Sequence, residues 1–366
     1  MRGVGHVFKS AFRWVFGSPL PPAVVKRKRI LSIDGGGIRG IIAGQVLVAL
    51  EKKLQKRSGN PEARLADYFD FFAGTSTGGI LTCLYLCPSE DDAKKARYSA
   101  EEAIGLYIKN GFEIFKLSIW KKLSNPEGII HEIYNVIELE KLLKKYFGTV
   151  KLSTLLKPCL ITSFNINKRT PHFFAQHEAV KFGDPSDFFV CDVCRATTAA
   201  PTYFETALIK SMSDVSYPLV DGGVFANNPA MCAYSEVQNA KGFPSTKDMF
   251  IVSIGTNVSK RPLQINNAIG WGTIAWSRPM IDLMMTTASE TVDFYLKKIF
   301  AAQGNDQNYI RIQPGSFHKA KPRIDNASPQ NIQALIEVGN ITAMDYSEEL
   351  DRIVDVLMEG SDPVEF

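Results

Sequence analysis

A serine set between two glycines, Gly74-x-Ser76-x-Gly78, constrains this chain more than any other stretch. The spacing is that of a nucleophile elbow. There a strand enters a helix through a turn so sharp that the serine hydroxyl stands clear of the sheet. Such a turn needs strained backbone angles and close strand–helix contact, and glycine tolerates both. The flanks suit it. Leu65 to Phe72 is apolar and aromatic and predicts a buried strand, while Ile80 to Leu86 predicts an apolar helical turn and a half. An ordinary glycine-rich turn has the same spacing, so the surrounding chain must decide.

A second glycine stretch lies upstream. Arg29 to Ile33 is a compact β-type run, Asp34-Gly35-Gly36-Gly37-Ile38-Arg39-Gly40 follows, and Ile41 to Leu54 carries apolar residues at helical spacing. Gly35-x-Gly37-x-x-Gly40 matches a dinucleotide fingerprint. That reading wants a second strand ending in an acidic residue about 20 positions on. Residues 51 to 64 are charged and helical or turn-like instead. The other reading is an anion cradle, since backbone N–H groups at a helix N-terminus hold an oxyanion as well as a phosphate. Arg39 would add a fixed positive charge.

Further strands are expected at Pro158–Phe164, His172–Gln176, Tyr217–Val220, Met249–Ile254 and Asn308–Gln313. Helices are expected at Asp187–Ala199, at Pro279–Phe300 with its proline in the first turn, and at Pro329–Leu357. Such alternation predicts an α/β fold of three layers, helices on both faces of a mostly parallel sheet. The chain's 366 residues and 45% hydrophobic content suffice for one large domain of this kind. The uncharged run Phe71 to Ser89 is broken by its glycine centre and does not predict a membrane span.

Charge is unevenly spread. The net is +4, yet residues 1 to 29 hold seven basic side chains and no acidic one, which leaves the remainder at −3. Val4, Phe8, Phe12 and Val15 fall near one helical face of this arm, and a proline-rich linker, Ser18 to Pro22, follows. The arm suits an anionic surface or serves as a solubilising tail. Between residues 91 and 150, Phe112, Phe115, Leu117 and Trp120 interleave with Lys116, Lys121 and Lys122. That pattern fits a membrane-facing cap or a helix with its core face inward. Lys9 and Arg13 interrupt what would be a signal peptide's apolar core. Cys191-x-x-Cys194 lacks a second Cys or His pair at metal spacing, so buried thiols in a reducing compartment are expected, and no metal.

A serine nucleophile needs a base. The short strand Tyr217 to Val220 delivers Asp221-Gly222-Gly223 to the same sheet edge as the glycine cradle and the elbow. Of the histidines, His6, His131, His172, His177 and His318, only His318 follows Asp221 in the serine–aspartate–histidine order. A carboxylate in a dry site can also take the proton directly.

Leu31-Ser-Ile-Asp34-Gly-Gly-Gly-Ile-Arg-Gly40, Gly74-Thr-Ser76-Thr-Gly78 and Leu219-Val-Asp221-Gly-Gly223 resemble, in order and spacing, the three signatures of the patatin-like phospholipases. Ala63 to Asp70, Thr198 to Phe204 and Asn308 to Arg311 are similar to plant patatins, and the resemblance covers about residues 28 to 350. It leaves residues 1–27 as arm and linker and 351–366 as a helix end and tail. The resemblance implies a calcium-independent hydrolase of glycerolipid acyl esters without a cofactor. Ser76 would be acylated and Asp221 would be the base, with no histidine. The oxyanion hole would lie in Gly35, Gly36, Gly37, Ile38, Arg39 and Gly40, its N–H groups around Gly36, Gly37 and Ile38, with Arg39 supporting the loop. Gly223 stands where plant patatins often carry alanine. The expected partner is a phospholipid membrane or lipid substrate and no nucleic acid. Some bacterial relatives answer to cyclic nucleotides, which leaves a small-molecule activator open. Without a signal peptide, the expected place is the cytoplasm, with peripheral contact at the inner membrane surface. Two other readings remain: a nucleotide-binding regulator using Gly35 to Gly40, and an inactive membrane-binding module.

Overall fold

A computed structural model describes residues 26–114, 134, 136–256, 273–360 and 363–366. The amphipathic arm, its proline linker, His6, His131 and the aromatic–lysine stretch from Phe115 to Lys122 lie outside the described residues.

In chain order the elements are β1 Lys28–Ile33, α1 Gly40–Ser58, α2 Leu65–Tyr68, β2 Phe71–Thr75, α3 Thr77–Leu86, α4 Ala100–Ile114 and α5 Val136–Phe147. Then come β3 Cys159–Asn165, β4 Thr170–Ala175, α6 Gln176–Phe182, α7 Val190–Thr197, β5 Ala207–Lys210, β6 Ser216–Asp221, α8 Gly223–Ala226 and α9 Ala230–Gln238. The chain ends through β7 Met249–Ile254, α10 Thr273–Ala302, β8 Tyr309–Ile312, α11 Pro329–Asp345 and α12 Ser347–Met358.

The strands form one sheet in the order β5-β6-β3-β2-β1-β7-β8, with β4 paired to β3. β3, β2, β1, β7 and β8 run parallel. β4, β5 and β6 make the antiparallel pairings. Both faces of the central strands are covered, which is why those strands read as near-continuous apolar runs. Leu31, Ile33, Phe72, Phe250 and Val252 point into the larger core, packed with α1, α3, α7, α11 and α12. Ile30, Phe71, Ala73, Met249 and Ile251 point into the other, packed with α9 and α10. This is the three-layer α/β/α arrangement with a mostly parallel sheet that the alternation predicts.

Several boundaries differ. The expected strand from Leu65 is instead the short helix α2, and β2 starts at Phe71. The Asp67 carboxylate accepts the Arg64 N–H and the buried Glu51 accepts the Leu65 N–H, which together start a helical turn. The helix expected from Asp187 starts at Val190, because Asp187 turns its carboxylate onto the Ser153 N–H and hydroxyl. Pro279 lies inside α10, not in its first turn. The long C-terminal helix breaks at Tyr346, whose hydroxyl reaches back to the Gln313 carbonyl. α12 runs on to Met358 and buries Ile353, Val354 and Leu357 in the core.

Candidate active site

Ser76 sits between β2 and α3 with φ 54° and ψ −120°. A positive φ on a non-glycine residue is strained, and the surroundings must hold it there. Here they do. A Cβ on Gly74 would stand 2.5 Å from the Gly78 carbonyl oxygen, and one on Gly78 would stand 2.2 Å from that of Ile33. Strand and helix therefore touch where only glycine fits. The Ser76 N–H donates to Thr197 Oγ1 at 2.9 Å, and that hydroxyl donates to the Thr162 carbonyl at 2.7 Å. Thr197 ends α7, and nothing in its local sequence signals this role.

Asp221 reaches the serine on an antiparallel strand of the mostly parallel sheet. β6 runs antiparallel to β3, so Asp221 does not leave the carboxyl edge of a parallel strand. The register compensates. Thr75 pairs with Thr162, and the next residue of β3, Ser163, pairs with Asp221. Ser76 and Asp221 therefore stand at one height on either side of β3. The Gly223 N–H donates to Asp221 Oδ1 at 2.7 Å. Burial pushes the Asp221 pKa up to about 6, against the hydrogen bonding of Ser76 and of the Gly223 amide.

The glycine loop carries fewer free donors than the six residues suggest. The Gly35 N–H goes to the Asn227 carbonyl, Ile38 to Ile324, Arg39 to Gly36, and Gly40 to Gly37 and Ile38. Among the described residues, only Gly36 and Gly37 of the six keep amides without an acceptor. Ile38, expected as a donor, is thus already committed to the chain. Gly37 has φ +56°, and its Cα faces the Ile324 carbonyl so closely that a Cβ would fall 2.3 Å from it. Arg39, 2% exposed, turns away into the protein. Its Nε donates to the Gly36 carbonyl at 3.4 Å, its Nη1 to that of Pro322 at 3.3 Å, and Asp282 pairs with it at 3.8 Å. The Tyr107 hydroxyl donates to the Gly37 carbonyl at 2.8 Å, another partner the sequence did not announce.

Beneath the loop, Arg311 grips both oxygens of Asp34 at 2.7 and 2.5 Å. Burial raises the Asp34 pKa, the charge and hydrogen bonds of Arg311 oppose that rise only in part, and Asp34 in turn holds the Arg311 pKa up. Ser289, from α10, donates to Asp34 and accepts from Asn227 Nδ2.

The model of the patatin-like phospholipase family matches residues 31–234. Patatin-like protein 2 of Oryza sativa subsp. japonica is 33% identical over 373 residues, covering 93% of this chain and 90% of its own length. Patatin-like protein 2 of Arabidopsis thaliana is 36% identical over 351 residues, 88% of this chain and 84% of its own. The chain belongs to the patatin-like phospholipase family. A probable inactive patatin of Solanum tuberosum is 32% identical across 90% of both chains, so membership alone does not carry catalysis. Among solved structures, human GIVD cytosolic phospholipase A2 aligns with TM-score 0.48 at 12% identity, covering 93% of this chain and 61% of that one. VipD from Legionella pneumophila aligns with TM-score 0.37, and likenesses this loose carry no argument about chemistry. Family membership supports lipid acyl hydrolase activity as the class of chemistry.

In this patatin-like protein Ser76 and Asp221 open on one cleft. Its other walls include Gly37, Ile80, Tyr107, Leu139, Phe204 and Met285. A second hollow shares Ile80, Tyr107 and Leu139 and continues along Leu84, Leu106 and Leu142. No described histidine lines the cleft. His318 is exposed on the loop after β8, His177 pairs with Glu236 at 2.9 Å, and His172 is half-buried among aromatic rings, where desolvation pushes its pKa down to about 4. Cys191 and Cys194 are free and buried, and burial pushes Cys191 up to about 11. Among the described residues no group of three His, Cys, Asp or Glu side chains is placed to hold a metal ion. No helix there is long and apolar enough to cross a membrane.

Proposed function

We propose that this protein hydrolyses fatty acyl esters of glycerophospholipids through a Ser76–Asp221 dyad. The observation that carries the reading is the pairing of a strained, buried serine with a desolvated carboxylate on the wall of an apolar cleft. Ser76 attacks the ester carbonyl while Asp221 takes its proton. The N–H groups of Gly36 and Gly37 receive the developing oxyanion, and the protonated Asp221 then gives its proton to the leaving lysolipid. Water, deprotonated by Asp221, attacks the acyl carbon and releases the fatty acid. A dry carboxylate with its pKa near 6 is a stronger base than a solvated aspartate yet is ionised at neutral pH.

The apolar run from Ile80 through Leu139 to Leu142 suits an acyl chain better than a polar ester. Nucleophile, base and oxyanion donors all come from the chain, so activity should survive chelation of calcium. The protein would meet its lipid peripherally, at the surface of a bilayer.

The test is hydrolysis of mixed phospholipid vesicles by wild type, Ser76→Ala and Asp221→Asn, with products read by mass spectrometry and an arm in EGTA. The expected result is fatty acid plus lysolipid from wild type, with or without EGTA, and neither from the variants. A Ser76→Ala protein with wild-type activity would sink the dyad.

A further inference from the structure

Asn227 carries a buried acceptor with no donor. The residue is 2% exposed, and among the described residues nothing donates to its Oδ1. Its Nδ2 donates to Ser289 Oγ at 2.9 Å, and the Ser289 hydroxyl donates to Asp34 Oδ2 at 3.4 Å. That leaves Oδ1 facing the dyad. A Cβ on Gly35 would stand 2.5 Å from Asn227 Oδ1 and 3.4 Å from Ser76 Cβ. A Cβ on Gly223 would stand 3.4 Å from Asn227 Oδ1, 3.1 Å from Asp221 Oδ1 and 3.5 Å from the Met285 methyl carbon. Asn227 Oδ1 thus lies against Gly35 and near Gly223, beside the nucleophile and the base. An unpaired buried acceptor destabilises a fold. Its place here matches a need that arises only during the reaction.

We propose that Asn227 positions the hydrolytic water. The proposal rests on the dyad reading above. In deacylation the water has two protons and needs two acceptors. Asp221 takes one proton as the water oxygen bonds to the acyl carbon. Asn227 Oδ1 accepts a hydrogen bond from the other, which fixes the lone pair on line with the carbonyl. The tetrahedral intermediate then breaks its bond to Ser76 Oγ, which recovers the proton from Asp221. The products are free Ser76, ionised Asp221 and the fatty acid. The first half-reaction uses no water, so Asn227 serves the second half alone.

This separation is the test. With p-nitrophenyl octanoate in a stopped-flow instrument, the burst of p-nitrophenolate reports acylation and the steady phase reports deacylation. Intact-protein mass spectrometry after acid quench counts the acyl-enzyme. Asn227→Ala should acylate within about threefold of wild type but turn over on the order of 10- to 100-fold more slowly, with acyl-enzyme accumulating. Asn227→Asp keeps an acceptor but sets a second negative charge near Asp221, so its pH–rate limb should move to higher pH. Equal slowing of both phases in Asn227→Ala would show a structural role and overturn the proposal alone. If wild type forms no acyl group on Ser76, the dyad reading falls and takes the proposal with it. If Asn227→Ala does not fold, a crystal structure of the wild type phosphonylated on Ser76 by a phosphonate ester decides. A water between Asn227 Oδ1 and Asp221 supports the assignment, and its absence overturns it.

Discussion

Arg311 and Asp34 form a two-point ion pair at 2.7 and 2.5 Å, with their side chains only 5% and 2% exposed. The pair ties the end of β8 to the start of the glycine loop, and Ser253 Oγ takes the second bond of Arg311 Nη1 at 2.7 Å. Removing one partner leaves an uncompensated buried charge, whereas replacing both with apolar groups is far milder. Arg311→Ala should therefore lose about 3–5 kcal/mol in urea denaturation, and Asp34→Leu/Arg311→Met should recover much of it. The double variant should still lack activity, since the loop would lose its anchor.

Catalysis should depend on pH through Asp221. As the base it must be ionised, and its folded pKa is about 6. The rate should climb as pH rises through about 6 and level off above it. A kcat/KM profile for a soluble ester checks this. A limb near 4, the range of a solvated aspartate, would remove Asp221 from the role of base.

The same shift costs stability. The folded pKa of Asp221 lies above its ordinary value of 3.8, so its contribution favours folding at low pH and is lost as pH rises through about 6. Above that, wild type folds around a buried carboxylate, and Asp221→Asn does not. At pH 8 the variant should be more stable by up to about 3 kcal/mol, and the advantage should vanish below pH 4. Thermal melts across that range provide the measurement.

Gly78 and Gly105 are both helical glycines with opposite expected outcomes. A Cβ at 78 would strike the Ile33 carbonyl at 2.2 Å, so Gly78→Ala should pry α3 from β1, cost about 1–3 kcal/mol and displace Ser76. At Gly105, exposed in α4, a Cβ meets nothing within 4 Å, and Ala should stabilise by up to about 1 kcal/mol. Both are read from denaturation midpoints.

Thr197→Val would strip the Ser76 N–H of its acceptor inside the core. The expected cost is about 1–3 kcal/mol together with a lower kcat, and Thr197→Ser should restore both. If Thr197→Val left kcat untouched, the threonine would be a packing residue only.

What the chain announced by itself is what local physics writes locally. Gly74-x-Ser76-x-Gly78 spells a turn, because only glycine survives 2.2 to 2.5 Å approaches, and the apolar runs of β1, β3 and β7 spell strands buried on both faces. Asp221 was legible as a strand-end carboxylate. The direction of its strand was not, because antiparallel pairing with β3 depends on which neighbour β6 meets, not on its own six residues. α2 was missed because its start depends on Glu51, fourteen residues away in sequence. Ile38 looked like a donor until its amide met Ile324. Thr197, Tyr107, Ser289 and Asn227 have ordinary side chains in ordinary local sequence. Their parts come from distant segments brought within 3 Å, and such contacts exist only once the sheet has closed.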